Sequence, residues 1–141
     1  MASIALKRPE RNRCRSNQRN VVLIGGTGTG KTHFGIAIAF DETGKLLMST
    51  TGAYLVNGLP KGQDEDVLRF DGAAWAVYFD GSNNAGLGAE DISGVDVLSS
   101  GEIALSVLDS FSVPGLKGNG ADIFVCTPSS LGYLTTDCTY S

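Results

Sequence analysis

The run Gly25-Gly26-Thr27-Gly28-Thr29-Gly30-Lys31-Thr32 constrains this chain more than any other feature. It satisfies the phosphate-loop pattern Gly-x4-Gly-Lys-Thr in full. Glycines let the backbone wrap closely around a polyphosphate, so that successive N–H groups form an anion nest. A helix opening near Lys31 adds its positive dipole end. Lys31 then reaches the β- and γ-phosphates, and the Thr32 hydroxyl ligates Mg²⁺. Such a loop needs a strand before it and a helix after it. Val21-Val22-Leu23-Ile24 reads as a buried parallel strand. His33-Phe34-Gly35-Ile36-Ala37-Ile38-Ala39-Phe40 reads as the helix, weakened at Gly35 by about 1 kcal/mol relative to alanine. All eight residues from Gly25 to Thr32 are therefore candidate nucleotide-binding residues, with Thr32 as the metal-binding one.

The parts that hydrolyse a bound triphosphate are harder to find. An acidic residue at the end of a second core strand must hold Mg²⁺ and position water, and an arginine must reach the transition state. Ala76-Val77-Tyr78-Phe79-Asp80 is the only stretch resembling the first of these, and Gly81 stands where a second carboxylate is expected. No arginine finger is evident. The residues thus predict nucleotide binding with doubtful hydrolysis, and no residue is assigned a catalytic role.

Residues 20–39 resemble the Walker A segment of the IstB-type transposition helper ATPases, relatives of the DnaC-type helicase loaders. The Thr27-Gly28-Thr29-Gly30-Lys31-Thr32-His33 run carries the likeness, and the sequence departs from it at Phe34-Gly35, where the family usually has Leu-Ala. The resemblance implies ATP and Mg²⁺ as cofactors at the residues already named, in a P-loop ATPase that is here incomplete. It also implies an ancestral partnership with a transposase on DNA, and it is silent on residues 41–141.

Charge divides the chain near position 40. Residues 1–40 hold seven Lys/Arg against Glu10, a balance of +6, whereas residues 41–141 hold four Lys/Arg against fourteen Asp/Glu, a balance of −10. Lys7, Arg8, Arg11, Arg13, Arg15 and Arg19 make residues 1–19 a basic tail. Two readings of it stay open: a solvated, poorly ordered terminus, or a weak, sequence-blind contact with nucleic acid through phosphate neutralisation. The first residues lack the apolar stretch of a secretion signal, and no apolar run approaches the roughly 20 residues that span a bilayer. The expected location is the cytoplasm, with no membrane partner; the oligomeric state is not legible.

Residues 44–141 read as β structure. Short apolar runs (Lys45-Leu46-Leu47-Met48-Ser49, Val67-Leu68-Arg69-Phe70, Trp75-Ala76-Val77-Tyr78-Phe79, Val95-Asp96-Val97-Leu98) alternate with Gly-, Asp- and Asn-rich turns. Ser99-Ser100-Gly101 reads as a hairpin turn leading into Glu102-Ile103-Ala104-Leu105-Ser106. The stretch also repeats with a period of about 57 residues. Gly44-Lys45-Leu46 aligns with Gly101-Glu102-Ile103, Val56-Asn57-Gly58-Leu59 with Val113-Pro114-Gly115-Leu116, and, with one residue of slack, Asp66-Val67-Leu68 with Asp122-Ile123-Phe124. Each full unit holds four strands, like a propeller blade, and the second copy reads as truncated.

Tyr78-Phe79-Asp80-Gly81-Ser82, Phe111-Ser112-Val113-Pro114-Gly115-Leu116 and Asp122-Ile123-Phe124-Val125-Cys126 resemble a β-rich repeat of predicted secreted or surface bacterial proteins, to which no activity attaches. Cys126 and Cys138 are placed to pair in an oxidising compartment, leaving Cys14 free. The acidic turns around Asp64-Glu65-Asp66, Asp80, Glu90-Asp91 and Asp96 are solvated turn residues or, without EF-hand spacing, irregular Ca²⁺ ligands. Trp75 and Phe79 share the period-two spacing of one strand, which predicts a common core face.

The fold class expected is α+β. A basic tail (1–19) and a strand–P-loop–helix fragment (20–40) precede an all-β antiparallel repeat (44–141, divided near 100/101). Two further functions stand beside nucleotide binding: an extracellular-type structural or adhesive β module, and a gene-fusion fragment with no selected function.

Overall fold

A computed structural model describes residues 3–7, 20–24, 37–50, 52–82 and 85–141. The chain divides into two compact units, residues 1–32 and 33–141. In the first, β1 (Ser3–Lys7) pairs antiparallel with β2 (Asn20–Ile24), Ala5 opposite Val22. The Val21-Val22-Leu23-Ile24 run is thus a strand, but an antiparallel one. The phosphate loop at residues 25–32, Cys14, and Arg8, Arg11, Arg13, Arg15 and Arg19 lie outside the described residues.

The second unit has a strand where the sequence predicts the end of a helix. Residues 38–40, expected to end a helix, form β3 (Ile38–Phe40), and every regular element among the described residues is a strand. Among the described residues the α+β assignment gives way to an all-β one. Residues 33–36 lie outside the described residues. Alternating burial and pairing with the following strand decide the outcome. Ala37 and Ala39 are buried while Ile38 between them is 44% exposed, a period of two. The Ala37 amide donates to Ser49 Oγ (3.1 Å), and the Ser49 amide donates to the Ala37 carbonyl (3.0 Å), which locks this segment against the next strand.

Two four-stranded antiparallel meanders make up the unit. The first runs β3–β4–β5–β6, with β4 (Leu46–Ser49), β5 (Val67–Phe70) and β6 (Trp75–Phe79). The second runs β7 (Ile92–Val97), β8 (Ile103–Val107), β11 (Phe124–Ser130) and β12 (Asp137–Tyr140). Between β8 and β11 lies a hairpin of β9 (Phe111–Val113) and β10 (Leu116–Gly118). The segments aligned in sequence occupy matching places. Leu46 and Ile103 each begin the second strand of their sheet. The Tyr54–Gly62 bridge sits where the β9–β10 hairpin sits in the other sheet. The turns entering β4 and β8 end on Gly44 and Gly101, at φ of 77° and 86°, a conformation in which a side chain is strained.

The sheets share one core. Ala39, Leu47, Val67 and Phe79 of the first meet Ile92, Ile103, Leu105, Val107, Phe124, Cys126 and Tyr140 of the second, with Ala85 and Leu87 from the connection between them. The other face of the first sheet is covered by its own loop, where Tyr54, Val56 and Leu59 pack on Leu68, Val77 and Trp75. Trp75 and Phe79 therefore lie in different clusters, against expectation. A bulge in the β5–β6 ladder is responsible: Leu68 faces Val77 but Val67 faces Phe79, so Tyr78 is the extra residue and the alternation reverses across it. Among the described residues no helix is long and apolar enough to cross a membrane.

Candidate functional site

The phosphate loop comes directly after β2, which ends at Ile24; its eight residues, Gly25 to Thr32, lie outside the described residues. Asp80 is the acidic residue that the sequence offers as its partner.

Asp80 comes directly after β6 and is 5% exposed. Its backbone amide donates to Thr136 Oγ1 (2.9 Å), its Oδ1 accepts the Ser82 amide (3.1 Å) and its Oδ2 accepts the Leu134 amide (2.8 Å). Both carboxylate oxygens are thus committed to backbone donors, one of them in the β11–β12 connection. Leu134 is a non-glycine residue at φ 59°, a conformation that costs about 1–2 kcal/mol, and its amide is fixed by Asp80.

A second buried carboxylate lies nearby. Asp66 enters β5 from a tight turn, and its Oδ2 accepts from the Tyr54 hydroxyl (2.9 Å) and the Gln63 amide (3.3 Å). Its Oδ1 accepts the Gly81 amide (3.0 Å). Burial pushes the Asp66 carboxyl up, the hydrogen bonds from Tyr54, Gly81 and Gln63 draw it back, and the charge of Asp80 adds to the rise; the net shift is upward. Tyr54 is driven well above the usual phenol range by burial first, then by the charge of Asp66. Glu65 is also raised by burial, although its Oε1 accepts from Ser82 Oγ at 2.8 Å. Together these groups pin residues 62–66 and 80–82 to one another.

From sequence, these acids were expected as solvated turn residues or Ca²⁺ ligands. Asp66 and Asp80 are neither solvated nor free: their oxygens face backbone N–H groups and a phenol. Among the described residues no three His, Cys, Asp or Glu side chains converge as a metal site. The available signal was an acid placed directly before or after an apolar strand, where a carboxylate can accept turn amides.

Asp41, at the β3–β4 turn, is also buried. Its Oδ1 accepts from the Thr43 amide, the Thr43 hydroxyl and the Lys45 amide, while Oδ2 faces Arg69 at 3.7 Å. Burial opposes its charge, yet these hydrogen bonds and Arg69 hold its carboxyl below the usual range. The guanidinium of Arg69 lies 5.6 Å from the centre of the Tyr78 ring. Arg69 is thereby occupied within the first sheet.

Cys126 on β11 and Cys138 on β12 form a disulfide, their Cα atoms 5.3 Å apart. Residues 127–130 continue β11 beyond Cys126, and the reversal falls at residues 131–136.

No curated protein and no solved structure matches the chain. One family model does, that of the IstB-like ATP binding proteins, over residues 13–70. The match is longer than the twenty residues on which the resemblance was read: it runs from the basic segment through the phosphate loop and on to the end of β5. Over residues 13–70 the chain is similar to the IstB-like ATP binding proteins, and its amino-terminal part carries an IstB-like segment.

Proposed function

We propose that this chain binds a nucleoside triphosphate, ATP in the first place, through residues Gly25, Gly26, Thr27, Gly28, Thr29, Gly30, Lys31 and Thr32, with Mg²⁺ on the Thr32 hydroxyl, and turns it over poorly or not at all. One observation carries the reading: a complete Gly-x4-Gly-Lys-Thr pattern lies inside the segment that matches an ATP-binding family. Backbone N–H groups and the Lys31 ammonium supply the charge complement of a triphosphate. Weak turnover is supported by Asp80, whose oxygens are engaged by Ser82 and Leu134, and by Arg69, engaged by Asp41 and Tyr78. The basic residues of the 1–19 segment supply charge for a sequence-blind contact with nucleic acid. The test is titration with a fluorescent ATP analogue in the presence and absence of Mg²⁺. Saturable, Mg²⁺-dependent binding that Lys31→Ala removes is expected; binding indifferent to that change refutes the assignment.

A second reading, an extracellular-type structural β module, is favoured by the Cys126–Cys138 bond, since disulfides persist mainly in oxidising compartments. A chain that is isolated oxidised from its native source and shows no nucleotide binding would support it over the first.

A further inference from the structure

The loop that covers the first sheet carries Asn57-Gly58, one of two Asn-Gly pairs in the chain; the other is Asn119-Gly120. The Leu59 amide donates to the Val56 carbonyl at 3.0 Å, which closes a four-residue turn around Asn57-Gly58. Gly58 sits at φ 87°. The aligned turn of the second sheet is Val113-Pro114-Gly115-Leu116, with Gly115 at φ 81°. Proline before a glycine of positive φ is the type II pattern. Position 57 therefore has a conformation that proline accepts.

The two Asn-Gly pairs differ in what holds them. Asn57 and Gly58 are both exposed, and among the described residues neither the Asn57 side chain nor the Gly58 amide makes a hydrogen bond. Asn119 is held at its side chain and its backbone. Its Oδ1 accepts the Ala121 amide (2.9 Å), its amide donates to Asp122 Oδ2 (2.8 Å), and its carbonyl accepts the Asp122 amide (2.9 Å). Gly120 lies so close to Leu108 that an added Cβ would run into the Leu108 carbonyl.

We propose that Asn57 is a self-modification site, at which the chain converts its own asparagine to isoaspartate. The Gly58 backbone nitrogen loses its proton to solvent and attacks Asn57 Cγ, unhindered by any side chain of its own. A bond forms between that nitrogen and Cγ, the Cγ–Nδ2 bond breaks, and the leaving nitrogen takes a proton from solvent and departs as ammonia. Water then opens the resulting succinimide. Opening at the Cγ carbonyl gives aspartate, and opening at the α-carbonyl gives isoaspartate, whose extra methylene enters the main chain of the turn. Val56 and Leu59, on either side of the pair, hold this loop on Leu68, Val77 and Trp75. Lengthening the backbone between them disrupts the Val56–Leu59 hydrogen bond and puts a carboxylate in place of a neutral amide, so the cover loosens. The site acts as a one-way timer on this face of the first sheet, independent of the nucleotide reading.

The test incubates the full chain at mildly alkaline pH and follows residues 57 and 119 by peptide mass mapping that separates aspartate from isoaspartate. Conversion at Asn57 is expected to be about tenfold or more faster than at Asn119, whose hydrogen bonds must open first. Its rate should rise with pH, since the attacking nitrogen must be deprotonated. Emission from Trp75, the one tryptophan in the chain, should change in step with it. Asn57→Pro, which copies the turn of the second sheet, should abolish both changes. Asn57→Gln, whose longer side chain closes the ring slowly, gives the same readout if the proline variant does not fold. No conversion at residue 57, or equal or faster conversion at Asn119, overturns the site. Trp75 emission that stays constant while residue 57 converts overturns its effect on the loop.

Discussion

The amide of Leu134 donates to Asp80 Oδ2 at 2.8 Å across 54 residues of sequence, so a carboxylate at the end of β6 holds the β11–β12 connection in place. The Thr136 hydroxyl reinforces this joint, accepting from the Asp80 amide and donating to the Gly132 carbonyl. The same aspartate is the one that the sequence offers for Mg²⁺, and the two roles make different predictions.

Asp80→Asn replaces one of two acceptor oxygens by a donor, which then faces a backbone N–H. An unsatisfied buried group of this kind costs about 1–3 kcal/mol. Urea unfolding should show that loss, while the midpoint of the nucleotide titration stays where it was. Unchanged stability together with lost Mg²⁺-dependent binding would make Asp80 a metal ligand instead.

Tyr54→Phe should cost about 2 kcal/mol at neutral pH, because it removes a hydrogen bond from a buried carboxylate. It also changes the pH profile. Burial holds the folded-state pKa of Asp66 above its ordinary 3.8. The folded protein therefore keeps a proton that the unfolded chain has released. The contribution of this group is fully present below the unfolded value and is lost as pH rises through the folded one. Glu65, also raised, acts in the same sense. Without the phenol, the Asp66 pKa climbs further and the decline extends to higher pH. Unfolding curves from about pH 4 to about pH 7 should separate the variant progressively from the parent; a constant gap would show that Tyr54 does not act through the Asp66 carboxyl.

Much of the second unit was legible because its strands are short apolar runs between turn residues, and Val67-Leu68-Arg69-Phe70 and Trp75-Ala76-Val77-Tyr78-Phe79 coincide with β5 and β6. Ala37-Ile38-Ala39-Phe40 was not, since a short apolar run after a phosphate loop suits a helix as well as a strand. Its state is decided by partners elsewhere in the chain: Ser49 holds Ala37, and β4 pairs with Ile38–Phe40. The Asp66 and Asp80 networks were illegible for a related reason. Their donors sit 12, 15 and 54 residues away, in Tyr54, Gly81 and Leu134, and an acid in a turn carries no mark of the amides it will meet.

Gly81→Ala should destabilise by about 3 kcal/mol. A Cβ there would lie 2.8 Å from the Glu65 carbonyl carbon, and backbone cannot step aside as a flexible side chain can. The control is Gly52→Ala, where nothing lies within 4 Å and φ is not positive; it should stay within about 0.5 kcal/mol of the parent. Equal effects at the two positions in thermal unfolding would refute the close approach of residue 81 to residue 65.

Reducing the Cys126–Cys138 bond should lower stability by about 3 kcal/mol, the loop entropy that a cross-link over a dozen residues removes from the unfolded chain. Cys126 is fully buried and sits in the shared core beside Phe124 and Tyr140, so its thiol should resist alkylation after reduction until the β11–β12 pair opens. Cys138, half-buried on β12, should react first. Mass mapping after oxidative refolding should find one bond, between these two, with Cys14 alkylated. A bond joining Cys14 to either partner, or equal alkylation rates at Cys126 and Cys138 in the reduced native protein, would contradict the β11–β12 register that places the two sulfurs together.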